Sequence, residues 1–260
     1  MAHVPISVVI PCFNEEDNIG ACLESVAWAD EILVVDSFST DRTLEIAGRY
    51  TNRVFQREYQ SHADQLNWTI PQASHEWVLV VDSDERVPDT LAKEIRDLDL
   101  ANNKIDGYWI RRSNHLFGKK IRFSGWGRDR VLRLFRRDLG RKENKRVHAE
   151  FKVPKAGRLK EAILHYPIPS MEAWVVKINR YTTWKAMDKV EKGNPAALIH
   201  FFLRPPIRFF KDSVLRLGLL DGWRGILIAA MSAFAEMIMS AKMMQLKRQD
   251  NRGGRSVADL

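Results

Sequence analysis

The chain has 260 residues, 45% of them hydrophobic, which is enough for one full-sized domain and an extension. Its two cysteines, Cys12 and Cys22, are too few for a disulfide framework and lack the spacing of zinc ligands, which excludes both kinds of site. The net charge of +8 is unevenly distributed, because residues 1–110 contain 8 Lys/Arg and 20 Asp/Glu whereas residues 111–160 contain 18 and 4.

The chain begins with a short polar segment and then a strand. Residues 1–5 have neither a basic region nor an apolar core, so we expect no secretory signal and a catalytic part in the reducing cytoplasm. The continuous apolar run at residues 6–10 predicts a parallel strand covered on both faces. A helix that packs one side on the sheet is predicted next by apolar residues at helical spacing, namely Ile19, Cys22, Leu23 and Val26.

Two later strands each end on aspartate, at residues 31–36 and 77–84. Ligands of an open α/β sheet bind beyond the carboxyl ends of its strands, which makes Asp36 a candidate for binding a base or ribose. Asp82 and Asp84 would share one face of an extended segment and could converge on a divalent cation. The alternatives are a helix cap at Asp36 and a plain turn at the Asp-x-Asp pair. The pattern therefore predicts a nucleotide–metal site.

Further helices are predicted between and after these strands. Their apolar positions are Leu44, Ala47 and Tyr50, then Ala63, Leu66 and Ile70, then Leu91, Ile95 and Leu98 after an opening Pro88. The first strand–helix loop, residues 11–16, lacks the glycines of a dinucleotide fingerprint or a P-loop. This absence argues against an NAD enzyme and against a P-loop NTPase.

The basic region, residues 111–160, lies in a part of the chain where the pattern becomes typical of strands, predicted at residues 108–110 and 131–135. Its excess of fourteen positive charges either forms a solvated face or meets an anionic partner. The candidate partners are a phosphorylated substrate, an acidic membrane surface and nucleic acid.

From Ser170 onward the pattern is helical, and residues 200–245 mix apolar and basic side chains around an expected break at Pro205-Pro206. Residues 225–241 contain a single charge, Glu236, and would span roughly 25 Å as a helix, less than a bilayer demands. A buried bundle helix, an interfacial or re-entrant helix and a full span are the alternatives. The basic and aromatic flanks favour the interfacial or re-entrant helix.

Three motifs in this order resemble family 2 glycosyltransferases of the GT-A fold: residues 6–15 (ISVVIPCFNE), 34–43 (VVDSFSTDRT) and 77–85 (WVLVVDSDE). Later pieces are similar to a bacterial subgroup that adds sugars to the lipopolysaccharide core, namely WGRD at 126–129, RLFR at 133–136, RVH at 146–148 and LLDG at 219–222. The resemblance implies an α/β GT-A (Rossmann-like) nucleotide-sugar domain over residues 1–168 and a helical, amphipathic, membrane-associating extension over residues 169–260.

The resemblance also implies roles for individual residues. The nucleotide, usually UDP, would be held by Pro11, Asn14, Glu15, Asp36 and Gln65, with Asn67 near the base or phosphate. Asp82 would touch ribose or metal, and Asp84 would ligate Mg²⁺ or Mn²⁺ on the diphosphate. The chain lacks the Glu-Asp pair that supplies the catalytic base in the family, so we assign the catalytic base to Asp129, with Glu150 as the alternative. His148 is either an acceptor-side group or a structural histidine.

The implied activity is metal-dependent, inverting transfer of a hexose, glucose from UDP-glucose, to an anionic glycolipid such as the lipopolysaccharide inner core. The enzyme would sit at the cytoplasmic face of the inner membrane, peripheral or monotopic. Transfer to polyprenyl phosphate is the alternative within this class. A nucleic-acid-binding module on residues 111–160 is a further alternative, because aromatic residues lie among the basic ones. We expect no nucleic acid, since that reading leaves Asp82 and Asp84 unexplained.

Overall fold

The chain forms a mixed α/β sheet followed by C-terminal helices in a computed structural model that describes residues 4–101, 104–142, 151–194 and 198–250. The strands are β1 (Ile6–Cys12), β2 (Glu31–Asp36), β3 (Val54–Gln56), β4 (Trp77–Val80), β5 (Glu85–Arg86), β6 (Gly107–Leu116), β7 (Lys119–Lys120), β8 (Arg130–Arg136), β9 (Arg141–Lys142), β10 (Phe151–Lys152) and β11 (Ala156–His165). The helices are α1 (Ile19–Ser25), α2 (Thr43–Ala47), α3 (His62–Thr69), α4 (Asp89–Arg96), α5 (Met171–Glu191), α6 (Leu198–Phe210) and α7 (Trp223–Asp250). This architecture confirms the predicted fold class.

The contacts divide the chain into two compact units. We call Met1–His115 with Asp129–Pro167 the sheet unit, and Leu116–Arg128 with Ile168–Leu260 the helical unit. The domain bounds expected from the sequence, 1–168 and 169–260, stay a prediction.

Eight strands of the main sheet follow one another in the order β3-β2-β1-β4-β8-β6-β11-β5. The first four are parallel, β8 runs antiparallel to both of its neighbours, and β11 is parallel to β6. Because β2, β1 and β4 are adjacent and parallel, their carboxyl ends meet at one edge of the sheet. The turn before β5 is brought to β11 by antiparallel pairing of His165 with Glu85.

Both faces of the sheet are buried, which explains the continuous apolar run of β1. Val8 and Ile10 pack with α1 and α4 on one face, whereas Val9 packs with Leu66 of α3 on the other. Successive strand residues point to opposite faces, so a strand covered on both sides is apolar at every position. The predicted helices α1, α3 and α4 are present, whereas α2 ends before Tyr50, which is exposed.

The helical unit is held together by contacts between α5 and α7. Trp174 and Ile178 of α5 pack with Ile228 of α7 near one end, and Ala186 packs with Met239 near the other. The apolar segment predicted at residues 225–241 lies inside α7, a helix of 28 residues. By length and composition alone, Trp223–Arg248 could cross a membrane, and 28% of its most apolar stretch is buried within the protein.

Helix α6 differs from the sequence prediction because it continues through Pro205 and Pro206 instead of breaking there. Each proline lacks the backbone N–H that would bond one turn back, so the helix forgoes two hydrogen bonds at this point. A π-helical segment, Lys211–Leu215, and a 3₁₀ turn, Gly218–Asp221, then lead into α7.

Candidate active site

Asp36 ends β2 and is completely buried at the carboxyl edge of the sheet. Its Oδ2 accepts a 2.8 Å hydrogen bond from the Ser39 amide and a 3.3 Å bond from Gln56 Nε2, and its Oδ1 accepts a bond from the Ser39 hydroxyl. The Cys12 thiol lies 3.6 Å from Oδ1. These contacts fix the loop after β2, a structural task that accompanies the predicted nucleotide role.

The loop after β1 is tied to the same segment. Asn14 adopts a positive φ of 50°, its Oδ1 accepts a 2.8 Å bond from the Thr40 amide, and its amide donates to Ser39 Oγ at 2.8 Å. The Glu15 amide donates to Thr43 Oγ1 at 2.8 Å, while Pro11 pairs with Val35 within the sheet. Sequence reasoning therefore selected residues that the structure brings together as two interlocked loops.

Gln65 of α3 faces this loop pair and is buried. Its Nε2 donates to Ser37 Oγ at 2.8 Å and to the Arg57 carbonyl at 3.1 Å. Its Oε1 has no hydrogen-bond partner within the parts of the chain that the structure describes. A buried acceptor without a donor is costly, so this oxygen suits an N–H group of a bound nucleotide.

The Asp-x-Asp segment is a turn and not the extended strand that the sequence suggested. Strand β4 ends at Val80, and the Glu85 amide donates to the Asp82 carbonyl at 2.8 Å across the turn. Residues i and i+2 share a face in a strand but not in a turn, so Asp82 and Asp84 have different neighbours. The argument from strand alternation was therefore wrong.

Asp82 lies in a buried network with two arginines. Its Oδ2 accepts a 2.9 Å bond from Arg112 and a further bond from Arg133. Glu85, fully buried, accepts from Arg112 Nε at 2.7 Å and from Arg133 at 3.1 Å. Burial opposes the charged form of Arg112, but the charges of Glu85, Asp82 and Asp129 outweigh it and raise its pKa. Arg112 therefore stays charged.

Asp129 joins this network through the same guanidinium. Arg112 Nη1 lies 3.5 Å from Asp129 Oδ2, and the Arg112 amide donates to the Asp129 carbonyl at 2.9 Å. The Asp129 side chain is 38% exposed, so solvent or a substrate can reach it. Asp82 and Asp129, the predicted base, thus both contact the Arg112 guanidinium.

Asp84 faces His165, a residue that the sequence reasoning missed. His165 Nε2 lies 3.4 Å from Asp84 Oδ2, and its Nδ1 lies 2.5 Å from Asn114 Oδ1. In the tautomer in which Nδ1 donates to Asn114, the Nε2 lone pair faces the carboxylate. An imidazole held in this way beside a carboxylate is a common metal-ligand arrangement.

The fit to a divalent cation is therefore better at Asp84 than at Asp82. Asp84 and His165 form a pair of possible ligands, while the Asp82 carboxylate already balances two arginines. No group of three or more His, Cys, Asp or Glu side chains suitable for a metal occurs among the described residues. Mg²⁺ is commonly held by one or two carboxylates together with substrate phosphates, and Asp84 offers one such carboxylate.

Other residues were beyond sequence reasoning or lie beyond the described structure. Glu150, the alternative base, and His148 both fall outside the described residues. Arg112 was missed, and Arg133 was noted only within the RLFR motif, although an arginine within the apolar strand β8 is itself a signal, since a buried charge needs a partner.

Comparisons with known proteins identify the family. The profile of "Glycosyl transferase family 2" matches residues 7–160. The lipopolysaccharide core biosynthesis glycosyltransferase LpsC of Rhizobium meliloti (strain 1021) is 32% identical over 256 residues, 93% of each chain. The chain belongs to glycosyltransferase family 2. This membership confirms the resemblance to family 2 glycosyltransferases that the three sequence motifs indicated.

Two solved structures are also similar to this family 2 glycosyltransferase. S. aureus TarS 1-349 in complex with UDP-GlcNAc is 16% identical, with 96% of this chain and 93% of that chain covered and a TM-score of 0.48. Glucosyl-3-phosphoglycerate synthase from Mycobacterium tuberculosis in complex with Mn²⁺, UDP and glucosyl-3-phosphoglycerate is 18% identical, with 74% and 81% covered and a TM-score of 0.45.

Proposed function

We propose that this family 2 glycosyltransferase is an inverting, metal-dependent hexosyltransferase. It transfers a sugar, glucose from UDP-glucose, to an anionic membrane glycolipid such as the lipopolysaccharide inner core. The enzyme works at the cytoplasmic face of the inner membrane as a peripheral or monotopic protein. The name of the relative LpsC supports this acceptor. The observation that carries the chemistry is the bridge from Asp82 through Arg112 to the exposed Asp129.

The donor nucleotide binds at the loops after β1 and β2. The Asn14 and Glu15 loop and the Asp36 loop present a fixed surface, and the Gln65 Oε1 acceptor receives an N–H of the base. Asp84 and His165 would hold Mg²⁺ or Mn²⁺, and the bound ion would supply positive charge to the departing diphosphate. Asp82, whose charge is balanced by two arginines, approaches the ribose.

The base is Asp129. Its carboxylate takes the proton of the acceptor hydroxyl as the hydroxyl oxygen bonds to the anomeric carbon. The bond from that carbon to the diphosphate oxygen breaks on the opposite face, and UDP leaves with the electron pair. Arg112 holds Asp129 in place and keeps it near the turn that contains Asp82 and Asp84. One displacement of this kind inverts the anomeric configuration.

The test is transfer by the full-length protein from a panel of sugar nucleotides to core-truncated lipopolysaccharide, with and without Mn²⁺. The variant Asp129→Asn should lower kcat about 10²-fold or more, as is typical when a general base is removed, while donor binding survives. Asp138→Asn is a matched control, because Asp138 is 78% exposed and pairs only locally with Arg137. If Asp129→Asn turns over normally and Glu150→Gln does not, the base is Glu150.

The same assay separates the alternatives. Transfer to polyprenyl phosphate without transfer to lipopolysaccharide would replace the proposed acceptor. Salt-dependent retention on RNA or DNA by a protein that binds no sugar nucleotide would contradict the proposal altogether.

A further inference from the structure

A large apolar surface lies between α6 and the start of α7. Fourteen large hydrophobic side chains there are exposed, namely Leu198, Ile199, Phe202, Leu203, Ile207, Phe209, Phe210, Val214, Leu215, Leu217, Leu219, Leu220, Trp223 and Ile226. Helix α6 buries none of its thirteen side chains. Soluble monomers rarely expose a contiguous apolar patch of this kind, and such patches mark interaction sites. We call residues 198–226 the docking surface.

The docking surface presents positive charge and withdraws its negative charge. Its cations are Arg204, Arg208, Lys211, Arg216 and Arg224, and its sequence contains two carboxylates, Asp212 and Asp221. Asp212 is 1% exposed and accepts bonds from Arg208 Nε at 2.7 Å and Arg216 Nη1 at 2.9 Å. The charges of Asp212, Arg208 and Arg216 thus partly cancel, and residues 198–226, with five Lys/Arg and two Asp, keep a net charge of +3.

Asp221, from the LLDG motif, is buried in a different way. It is 6% exposed and accepts the backbone N–H groups of Arg122 at 3.0 Å and Phe123 at 2.9 Å. These bonds fasten the 3₁₀ turn to segment 116–128 and leave Leu219 and Leu220 pointing into solvent. The motif therefore builds an apolar tip on a rigid base.

Helix α7 is unsuited to crossing the membrane alone, because its second half is fastened to α5. Lys242 Nζ donates to the Asn179 carbonyl at 2.6 Å, to Thr183 Oγ1 at 2.6 Å and to Thr182 Oγ1 at 3.1 Å. A bilayer span by α7 would draw in α5, whose 21 residues include Glu172, Lys177, Arg180, Lys185, Asp188, Lys189 and Glu191. Burying that many charges in lipid is prohibitive.

We propose that the docking surface binds one leaflet of an anionic lipid bilayer and that α7 does not span it. The apolar side chains enter the boundary between headgroups and acyl chains, and the cations contact lipid phosphates. A second copy of the chain fits less well, since it would oppose cations with cations. This inference rests on the proposed function insofar as a membrane glycolipid is the acceptor.

The test measures sedimentation of the full-length protein with vesicles of phosphatidylcholine, with or without phosphatidylglycerol. The triple variant Phe202→Ser, Leu215→Ser, Leu220→Ser and the separate double variant Arg204→Gln, Lys211→Gln should each lower the partition coefficient about tenfold or more. Added salt should weaken the intact protein's binding.

The matched control carries Val175→Ser, Val176→Ser and Lys192→Gln. Val176 is 67% exposed, as are Phe202 and Leu215, but it lies outside the docking surface. This control should bind like the intact protein. Equal binding by all variants, no vesicle binding by the intact protein, or a protein dimer that the triple variant abolishes would each overturn the proposal.

Depth separates one-leaflet docking from a span. A Leu220→Cys variant can be labelled selectively with a fluorophore, because Cys12 and Cys22 are buried. Quenching by lipids labelled near the headgroup in the outer leaflet should be strong, whereas lipids labelled at the bilayer centre should quench weakly. Quenching from the inner leaflet would contradict the proposal.

A soluble, delipidated acceptor oligosaccharide distinguishes failure of the docking surface from failure of the proposed function. The triple variant should retain transfer to this acceptor and lose transfer to membrane-bound acceptor. A protein that binds vesicles but transfers to neither acceptor would contradict the function and leave the docking surface standing.

Discussion

The sheet unit and the helical unit differ in how much apolar surface they expose. The sheet unit buries charges, such as Arg133 with Glu85, in ion pairs, and six of its large hydrophobic side chains are exposed among the described residues. The helical unit exposes nineteen under the same condition. The sheet unit thus leaves few large hydrophobic side chains exposed, whereas the helical unit leaves many exposed.

Loss of a buried ion pair should have the largest effect on the stability of the sheet unit. Arg133→Met removes one cation from two carboxylates that have no access to solvent at Glu85 and little at Asp82. We expect a loss of about 3–5 kcal/mol in the free energy of unfolding, because breaking one side of a buried pair leaves charge uncompensated. Urea unfolding measures it.

Arg130→Met is the control for this change, because Arg130 is exposed in the same strand. It should lose much less stability than Arg133→Met. Equal effects of the two substitutions would mean that the buried network contributes nothing beyond an exposed charge.

Asp84 provides a comparison at the metal site. Asp84→Asn keeps the shape of the side chain but removes a charged oxygen, so affinity for Mn²⁺ in the presence of UDP should fall at least about tenfold. Calorimetric titration measures the affinity, and Asp97→Asn on an exposed position is the control. Undiminished metal affinity with an intact fold would remove Asp84 from the ligand set.

Two carboxylates with similar pKa values sharpen the contrast between buried and exposed charge. Burial works against the ionised form of Glu31, yet hydrogen bonds from Ser7, Ser74 and Arg53 outweigh it and lower its pKa to about 2. Hydrogen bonds from Arg42 and Arg49 also lower the pKa of Glu45 to about 2, but its side chain is half-exposed. Solvent screening should make the Glu45 contacts count for little.

Glu31→Gln should therefore destabilise the protein by about 1–3 kcal/mol at neutral pH, while Glu45→Gln should leave stability unchanged. The folded pKa of Glu31 lies below the unfolded value near 4.3, so its contribution is present above that pH and is lost as pH falls through 2. Unfolding measured between pH 7 and pH 2 should show the Glu31→Gln deficit shrinking on acidification. A deficit independent of pH would contradict this assignment.

The sheet, but not the site network, was predictable from local patterns. The apolar runs of β1 and β2 and the helical spacing of α1 and α4 express burial that each segment encodes alone. The Arg112–Asp82–Arg133 network depends on the pairing of β4, β8 and β6, which are distant in sequence.

Residues 77–84 show the same limit. They read as one strand because Val81 continues the apolar run, whereas in the structure the chain turns after Val81 and Glu85 contacts Arg112 and Arg133. His165 becomes visible as a site residue once β11 is paired beside β6, opposite Asn114. Long-range register is therefore what the sequence pattern lacked.

The two buried thiols, Cys12 and Cys22, can report local opening at two separate places in the protein. Burial, reinforced by Asp36, raises the pKa of Cys12, and burial likewise raises the pKa of Cys22, whose sulfur lies 3.5 Å from the Asp82 carbonyl. We expect a dissolved alkylating reagent to reach either thiol when its surroundings separate, because Cys12 is 6% exposed and Cys22 is completely buried. The rate at Cys12 reports opening where β1 meets the Asp36 loop, and the rate at Cys22 reports release of α1 from the Asp82 turn. The ratio of the two alkylation rates would tell whether these two places open independently or together.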